Sequence, residues 1–166
     1  MEGLSRKEVE ITSWLEFYNK YFFSANEIDQ LTKNKTQRYN IVKSLMRKNR
    51  IVKLNKDRYY LITRKAKSGR WTEHPFIIAD EMCNSGDYYI GGYAASNYWK
   101  LTDQIPMQID IYTTKRQGMV KILNTRFMFH RTTKKGLSRG GFEKIEDRFV
   151  RILGKDETKK WMKSKK

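Results

Sequence analysis

Four side chains between Thr36 and Asn40 carry the hydrogen-bonding chemistry that reads base edges. Arginine forks onto the O6 and N7 of guanine, and glutamine or asparagine bonds adenine in a paired geometry. Arg38, Gln37 and Asn40, with the hydroxyl of Thr36, are therefore candidate base-contacting residues. Lys33, Lys35 and Lys43 flank them with ammonium groups suited to phosphates. Lys53, Lys56 and Arg58 surround the turn Asn55-Lys56-Asp57, where they would touch backbone or minor groove, or protect a sheet edge by charge.

The elements that must position these groups are legible around them. From Thr36 to Lys48 the apolar residues Ile41, Val42, Leu45 and Met46 recur at helical spacing, which leaves the opposite side polar. Tyr39 either packs under this helix or touches a phosphate. Upstream, Ser24 with Glu27 three places on reads as a capping box for a short helix Ala25 to Leu31, and Thr32 to Lys35 as a turn. That is a helix-turn-helix. Downstream, Arg50 to Leu54 and Arg58 to Ile62 are β-rich runs around a three-residue loop, a hairpin pattern. A first helix, capped by Ser5 with Glu8, would run to Phe22 and bury Val9, Trp14, Leu15, Phe17, Tyr18 and Tyr21 behind the others. Residues 1–63 are thus expected to form a winged helix-turn-helix domain.

The charge agrees with a polyanionic partner. The 166 residues carry a net charge of +17, with 17 basic against 7 acidic residues up to Arg70 and 18 against 11 beyond. A field of that sign attracts nucleic acid at long range, although solubility or another anionic partner would also use it. A single cysteine, Cys83, excludes an internal disulfide and a cysteine-built zinc site. No apolar run approaches a membrane span, and the first residues lack a signal-peptide core, so an intracellular protein with no membrane association is expected.

Residues 64–70 have almost no apolar content and read as a linker. The remainder, 71–166, is expected to be a small mixed α/β domain, making the whole chain α+β. Its elements would be a helix Pro75 to Met82, a strand Tyr88 to Ile90, a helix Tyr93 to Trp99, and an alternating strand Met107 to Thr113 burying Met107, Ile109 and Ile111. Further strands are expected at Val120 to Leu123 and Arg126 to Arg131. The last span fits either a helix through Phe142, Ile145, Phe149 and Ile152 or a strand Arg148 to Leu153 before a helix near Lys155, with the second favoured.

No catalytic constellation stands out, and no cofactor or metal site is expected. His74 and His130 have no Cys or carboxylate at ligand spacing, Cys83 has no base partner, and Gly91-Gly92 lacks the rest of a phosphate-binding motif. A strand-to-helix turn explains that glycine pair.

The passage Tyr88-Tyr-Ile-Gly-Gly-Tyr-Ala-Ala-Ser-Asn-Tyr-Trp-Lys-Leu-Thr-Asp-Gln-Ile-Pro, running on to Thr113-Thr-Lys-Arg, resembles the start of the C-terminal domain of AbiEi-type antitoxins. Phe23-Ser24, Leu45-Met46-Arg47-Lys48 and Arg58-Tyr-Tyr-Leu are similar too, so the likeness spans roughly Phe22 to Arg131. It implies a cytoplasmic prokaryotic regulator that represses its own operon, commonly at inverted repeats, by paired or dimeric binding of its winged helix. It also implies a nucleotidyltransferase-like toxin as partner, neutralised through the C-terminal domain. The leading expectation is a sequence-specific double-stranded DNA-binding regulator. A toxin-docking module with DNA binding secondary is the alternative.

Overall fold

The computed structural model describes residues 3–62 and 73–165, and the chain divides into two compact units, Met1–Thr72 and Glu73–Lys166. Helices and strands occur in both. The expected linker at 64–70, like Trp71, lies outside the described residues.

The first unit begins with helix α1 (Arg6–Phe17). The Ser5 backbone N–H donates to the Glu8 carboxylate at 2.6 Å and the Ser5 hydroxyl accepts from the Glu8 N–H, so two end groups of the helix are satisfied reciprocally. Strand β1 (Phe22–Ser24) and a 3₁₀ helix (Ala25–Leu31) follow, with Glu27 accepting from the Ser24 N–H at 2.8 Å. Helix α2 (Lys35–Arg47) is capped by Asn34, whose side chain accepts from the Gln37 N–H at 2.8 Å. Strands β2 (Ile51–Lys53) and β3 (Arg58–Leu61) form an antiparallel hairpin, and β1 adds to β3 to give the order β1-β3-β2. Asn55 holds the hairpin tip by accepting from the N–H groups of Asp57 and Arg58. Ile11, Leu15, Phe23, Ile28, Ile41, Val42, Leu45, Ile51 and Leu61 make one core to which every one of these elements contributes.

Three sequence expectations are corrected here. α1 stops at Phe17, because Asn19 takes a left-handed conformation at φ 53° and the Lys20 N–H closes back onto Leu15. Phe22 is consequently a strand residue. Phe17 and Tyr18 are exposed, since the buried stripe of α1 runs through Ile11, Thr12 and Leu15. Met46 is exposed as well, lying beyond the edge of the stripe that Ile41, Val42 and Leu45 define.

The second unit starts with α3 (Pro75–Met82), continues through β4 (Tyr88–Gly91) and α4 (Gly92–Tyr98), and then builds β5 (Gln108–Thr113), β6 (Gly118–Ile122) and β7 (Thr125–Arg131). A single turn α5 (Lys134–Leu137), strands β8 (Gly140–Ile145) and β9 (Arg148–Leu153), and helix α6 (Lys155–Lys163) complete it. The six strands form one mixed sheet ordered β6-β7-β5-β4-β9-β8. Pairs β4–β9 and β5–β7 are parallel; the others are antiparallel. Tyr88, Ile90, Ile109, Ile111, Phe127 and Ile152 are buried on the face that carries α3 and α4. On that face the Tyr88 hydroxyl donates to Asp80 of α3 at 2.6 Å, and Tyr98 of α4 donates to Glu143 at 3.1 Å.

One expectation for this half is also corrected. Met107 precedes β5 and is exposed, so the buried alternation begins at Ile109. Of the two readings of the last span, the favoured one holds, with β9 over Arg148–Leu153 and α6 from Lys155; Phe142 lies in β8, which neither reading contained and which pairs along its length with β9.

Candidate nucleic-acid interface

α2 contains no Asp or Glu, and its residues divide into an inner and an outer set. Arg38 precedes Ile41, Val42 and Leu45 by three, four and seven positions, so it continues the buried stripe toward the N-terminus. There its guanidinium donates to Asn26 at 2.8 Å and to Asp29 at 2.5 Å, both on the 3₁₀ helix, leaving the side chain 17% exposed. Gln37 bends back along the turn, its Oε1 accepting from the Lys33 N–H at 2.7 Å. Arg38 thus ties α2 to the 3₁₀ helix, and Gln37 ties α2 to the turn between them.

Thr36 and Asn40 stand one turn apart and are exposed, as are Lys35 and Lys43. Tyr39 lies between them, 64% exposed, which closes the option of packing beneath the helix. Its position seven residues before the exposed Met46 is the signal that places it on the outer stripe. Lys33 is exposed in the turn that precedes Asn34. Thr36, Gln37, Asn40 and Ser44 form one wall of a groove of about 440 Å³, with Ser5, Lys7 and Glu8 at the start of α1 as the other wall.

Glu8 in that wall belongs to a buried ion pair. Glu8 is 3% exposed and receives Lys48 at 2.7 Å. Burial alone would raise its pKa, but hydrogen bonds from Lys48, Ser44 and Ser5 outweigh burial and hold it at about 2. The carboxylate is therefore charged and fully committed, so the groove offers an arriving phosphate no free acid there.

The hairpin residues separate in the same way. Lys56 is exposed at the tip, and Lys53 is exposed with its ammonium 6.0 Å from the Tyr59 ring. Arg58 lies 3.6 Å from Glu27, which also binds Lys20 at 2.7 Å. Burial raises the Glu27 pKa, yet these cations and the Ser24 N–H bring the net shift downward. Arg58 is thus placed to brace β3 against the 3₁₀ helix.

Elsewhere the structure supplies a partner that sequence spacing did not show. His130 on β7 lies 2.7 Å from Asp110 on β5, because the parallel pairing of those strands sets His130 opposite Tyr112 and leaves Asp110, two residues before it, a diagonal neighbour on the same face. Gly92, at φ +61°, makes room for that carboxylate: a Cβ there would fall 2.6 Å from the Asp110 Oδ2. Burial pushes the half-buried Cys83 thiol up to about 12, so it stays protonated and unreactive. A Glu-x-Lys spacing of the kind nucleases use does occur at Glu157-Thr158-Lys159, but Glu157 there binds Arg139 and Lys160. Among the described residues no three His, Cys, Asp or Glu side chains cluster so as to hold a metal ion, and no helix is long and apolar enough to cross a membrane.

No protein-family model matches the chain, and no curated protein matches it. The functional reading accordingly rests on the geometry of α2 and its surroundings.

Proposed function

We propose that the first unit is a winged helix-turn-helix that binds double-stranded DNA in a sequence-specific manner, and that the protein acts as a non-enzymatic transcriptional repressor. The order helix, strand, helix, turn, helix, hairpin, with β1 closing the sheet against the hairpin, supports the winged assignment. The single observation that carries the DNA reading is the outer face of α2, where Lys35, Thr36, Tyr39, Asn40 and Lys43 project together with no carboxylate on the helix. In this reading Thr36, Tyr39 and Asn40 meet base edges, while Lys33, Lys35 and Lys43 meet phosphates. Lys53 and Lys56 extend the phosphate track along the hairpin. Gln37, Arg38 and Arg58 act one step back, by fixing the angle of α2 against the 3₁₀ helix and the sheet.

The test is binding of the full chain to the DNA upstream of its own gene, beside a scrambled duplex at the same salt. Thr36→Ala/Asn40→Ala/Lys43→Ala should lower affinity for the upstream duplex about a hundredfold and erase its preference over scrambled DNA. Retained preference would refute the assignment of the outer face.

The AbiEi-like passage supports a second reading, that the protein is an antitoxin whose second unit docks a nucleotidyltransferase-like toxin. Within that passage Ile105 and Met107 are 79% and 82% exposed beside an apolar cleft lined by Phe76, Ala94, Tyr98 and Pro106. Exposed apolar groups at a cleft mouth suit a protein contact. Ile105→Glu/Met107→Glu should abolish rescue when the neighbouring gene product is co-expressed, with DNA binding intact. Full rescue by that variant would count against this contact.

A further inference from the structure

The sheet of the second unit has α3 and α4 on one face, and its other face displays a pattern the DNA reading does not use. Along β8 and β9 the paired residues on that other face are Phe142 with Arg151 and Lys144 with Phe149. Each ring therefore stands directly across from a cation, and the two rings are diagonal neighbours roughly 7 Å apart by sheet geometry. Phe142 is 69% exposed and Phe149 65%. Polar side chains could have filled these positions; a sheet that leaves two phenylalanines in water exposes stacking surface at a cost. The Arg151 guanidinium is held by the carbonyls of Leu137 and Gly140 and sits 5.4 Å from the Phe142 ring, a fixed positive charge. The bond to Leu137 also brings α5 to this strip, and α5 carries the exposed Lys134 and Lys135. The one glutamate on β8, Glu143, points to the opposite face, where Tyr98 binds it. The turn carboxylates Glu146 and Asp147 mark the acidic end of the strip, so an anion would run from Phe149 toward α5.

We propose that this strip binds single-stranded nucleic acid, with unstacked bases on Phe142 and Phe149 and phosphates on Lys144, Lys134 and Lys135. Duplex DNA keeps its bases inside and offers nothing for rings on a strand pair to stack on, whereas single strands do. A protein partner would also cover apolar rings, but rings alternating with cations, in a half-chain with 18 basic against 11 acidic residues, suit a polyanion better. The site is separate from α2, so its failure would leave the duplex reading standing.

The experiment measures anisotropy of labelled oligo(U) and oligo(dT), each about 12 nucleotides long, with the full chain, beside the upstream duplex. The oligo(U) and oligo(dT) arms distinguish RNA from DNA as the ligand, and tight binding in either supports the site. Phe142→Ala/Phe149→Ala should weaken single-strand binding by on the order of tenfold per ring and leave duplex binding unchanged. Phe142→Leu/Phe149→Leu, which keeps apolar bulk without an aromatic face, should lose it too, while Phe142→Tyr/Phe149→Tyr should keep it. Both phenylalanines are exposed, so the folded state survives these changes, as matching thermal melts would verify. The proposal is overturned if the native chain binds neither oligonucleotide, if the Ala variant binds as well as the native chain, or if the Leu variant restores binding. Capture of a protein by the native chain and not by the Phe142→Ala/Phe149→Ala variant, with no oligonucleotide bound, would likewise overturn it and assign the strip to a protein contact.

Discussion

On α2 the cations Lys35 and Lys43 stand on an outer face of a helix that has no acid, whereas the second unit binds many of its cations internally. There Arg148 meets Glu81 at 2.5 Å, Arg139 meets Glu157 at 2.8 Å, and the Arg116 guanidinium lies 3.4 Å from the Phe129 ring centre. The first unit also spends cations internally, Lys48 on Glu8 and Arg38 on Asp29, but those fall on the inner stripe. Positive charge is spread over both halves, and in each the open cations gather on particular faces, Lys35 and Lys43 on α2 and Lys134, Lys135 and Lys144 beside the strip on β8 and β9. What locates a nucleic-acid surface is thus the set of cations that the fold leaves without a committed acid, and net charge is a poor guide to it.

The contrast between committed and open cations can be broken most severely at Lys48. Lys48→Met should cost roughly 3–5 kcal/mol in urea unfolding, because Glu8 would remain buried without its counter-charge. Adding Glu8→Gln to it should restore most of that loss; a Lys48→Met variant as stable as the native chain would remove the ion pair from the list of committed charges. Acid provides the reversible form of the same test. Glu8 titrates at about 2 in the folded chain against an ordinary 4.5, so the unfolded state takes up its proton first as pH falls. The stabilisation is complete above about pH 5 and is lost between there and about pH 2, amounting to roughly 3 kcal/mol. Glu8→Gln should flatten that part of the stability profile measured by thermal melts.

A smaller effect is expected in the second unit, where Tyr88→Phe removes one of the two hydroxyl donors to the buried Asp80, the other being Ser85 at 2.7 Å. About 1–3 kcal/mol should be lost on urea unfolding, with affinity for duplex DNA unchanged. The smallest stability effect belongs to the pair of Arg38 with the half-exposed Asp29, within about 1 kcal/mol for either alanine variant. Its value lies in symmetry. If Arg38 braces α2, Asp29→Ala should reproduce whatever Arg38→Ala does to DNA binding; if Arg38 reads a base, Asp29→Ala frees it and binding should hold or strengthen.

Much of this arrangement was legible in the sequence, and the misses share a physical origin. Capping chemistry fixed the starts of α1 and the 3₁₀ helix, because Ser5 with Glu8 and Ser24 with Glu27 satisfy end groups that water cannot reach equally well. Pro75 opened α3 where a missing N–H costs nothing. Strand β1 was hidden because Phe22 and Phe23 continue an aromatic run, and only the left-handed Asn19 separates them from α1. Strand β8 was hidden because its exposed Phe142 mimics a helical core position and its turn, Glu146-Asp147, lacks the glycine that announces a tight hairpin. In the candidate interface, residue types pointed to the right helix but not to the right face of it. Arg38 looks like a base reader by chemistry, yet its spacing from Ile41, Val42 and Leu45 puts it on the inner stripe. For Arg38 the helical period thus carried the information that side-chain chemistry alone obscured, whereas Tyr39, three before Val42 and seven before Met46, is placed on the outer side only by the exposure it shares with Met46. The pairing of His130 with Asp110 could not be read at all, since it depends on which strands adjoin.

The most direct measurement sets Asn40→Ala against Arg38→Ala, titrating both into the upstream duplex and its scrambled counterpart at one salt concentration, below the melting temperature of each variant. The expected result is that Asn40→Ala erases most of the preference for the upstream sequence, while Arg38→Ala weakens both duplexes alike and leaves the preference in place. Loss of preference in Arg38→Ala, with Asn40→Ala indistinguishable from the native chain, would contradict the division of α2 into a bracing face and a reading face.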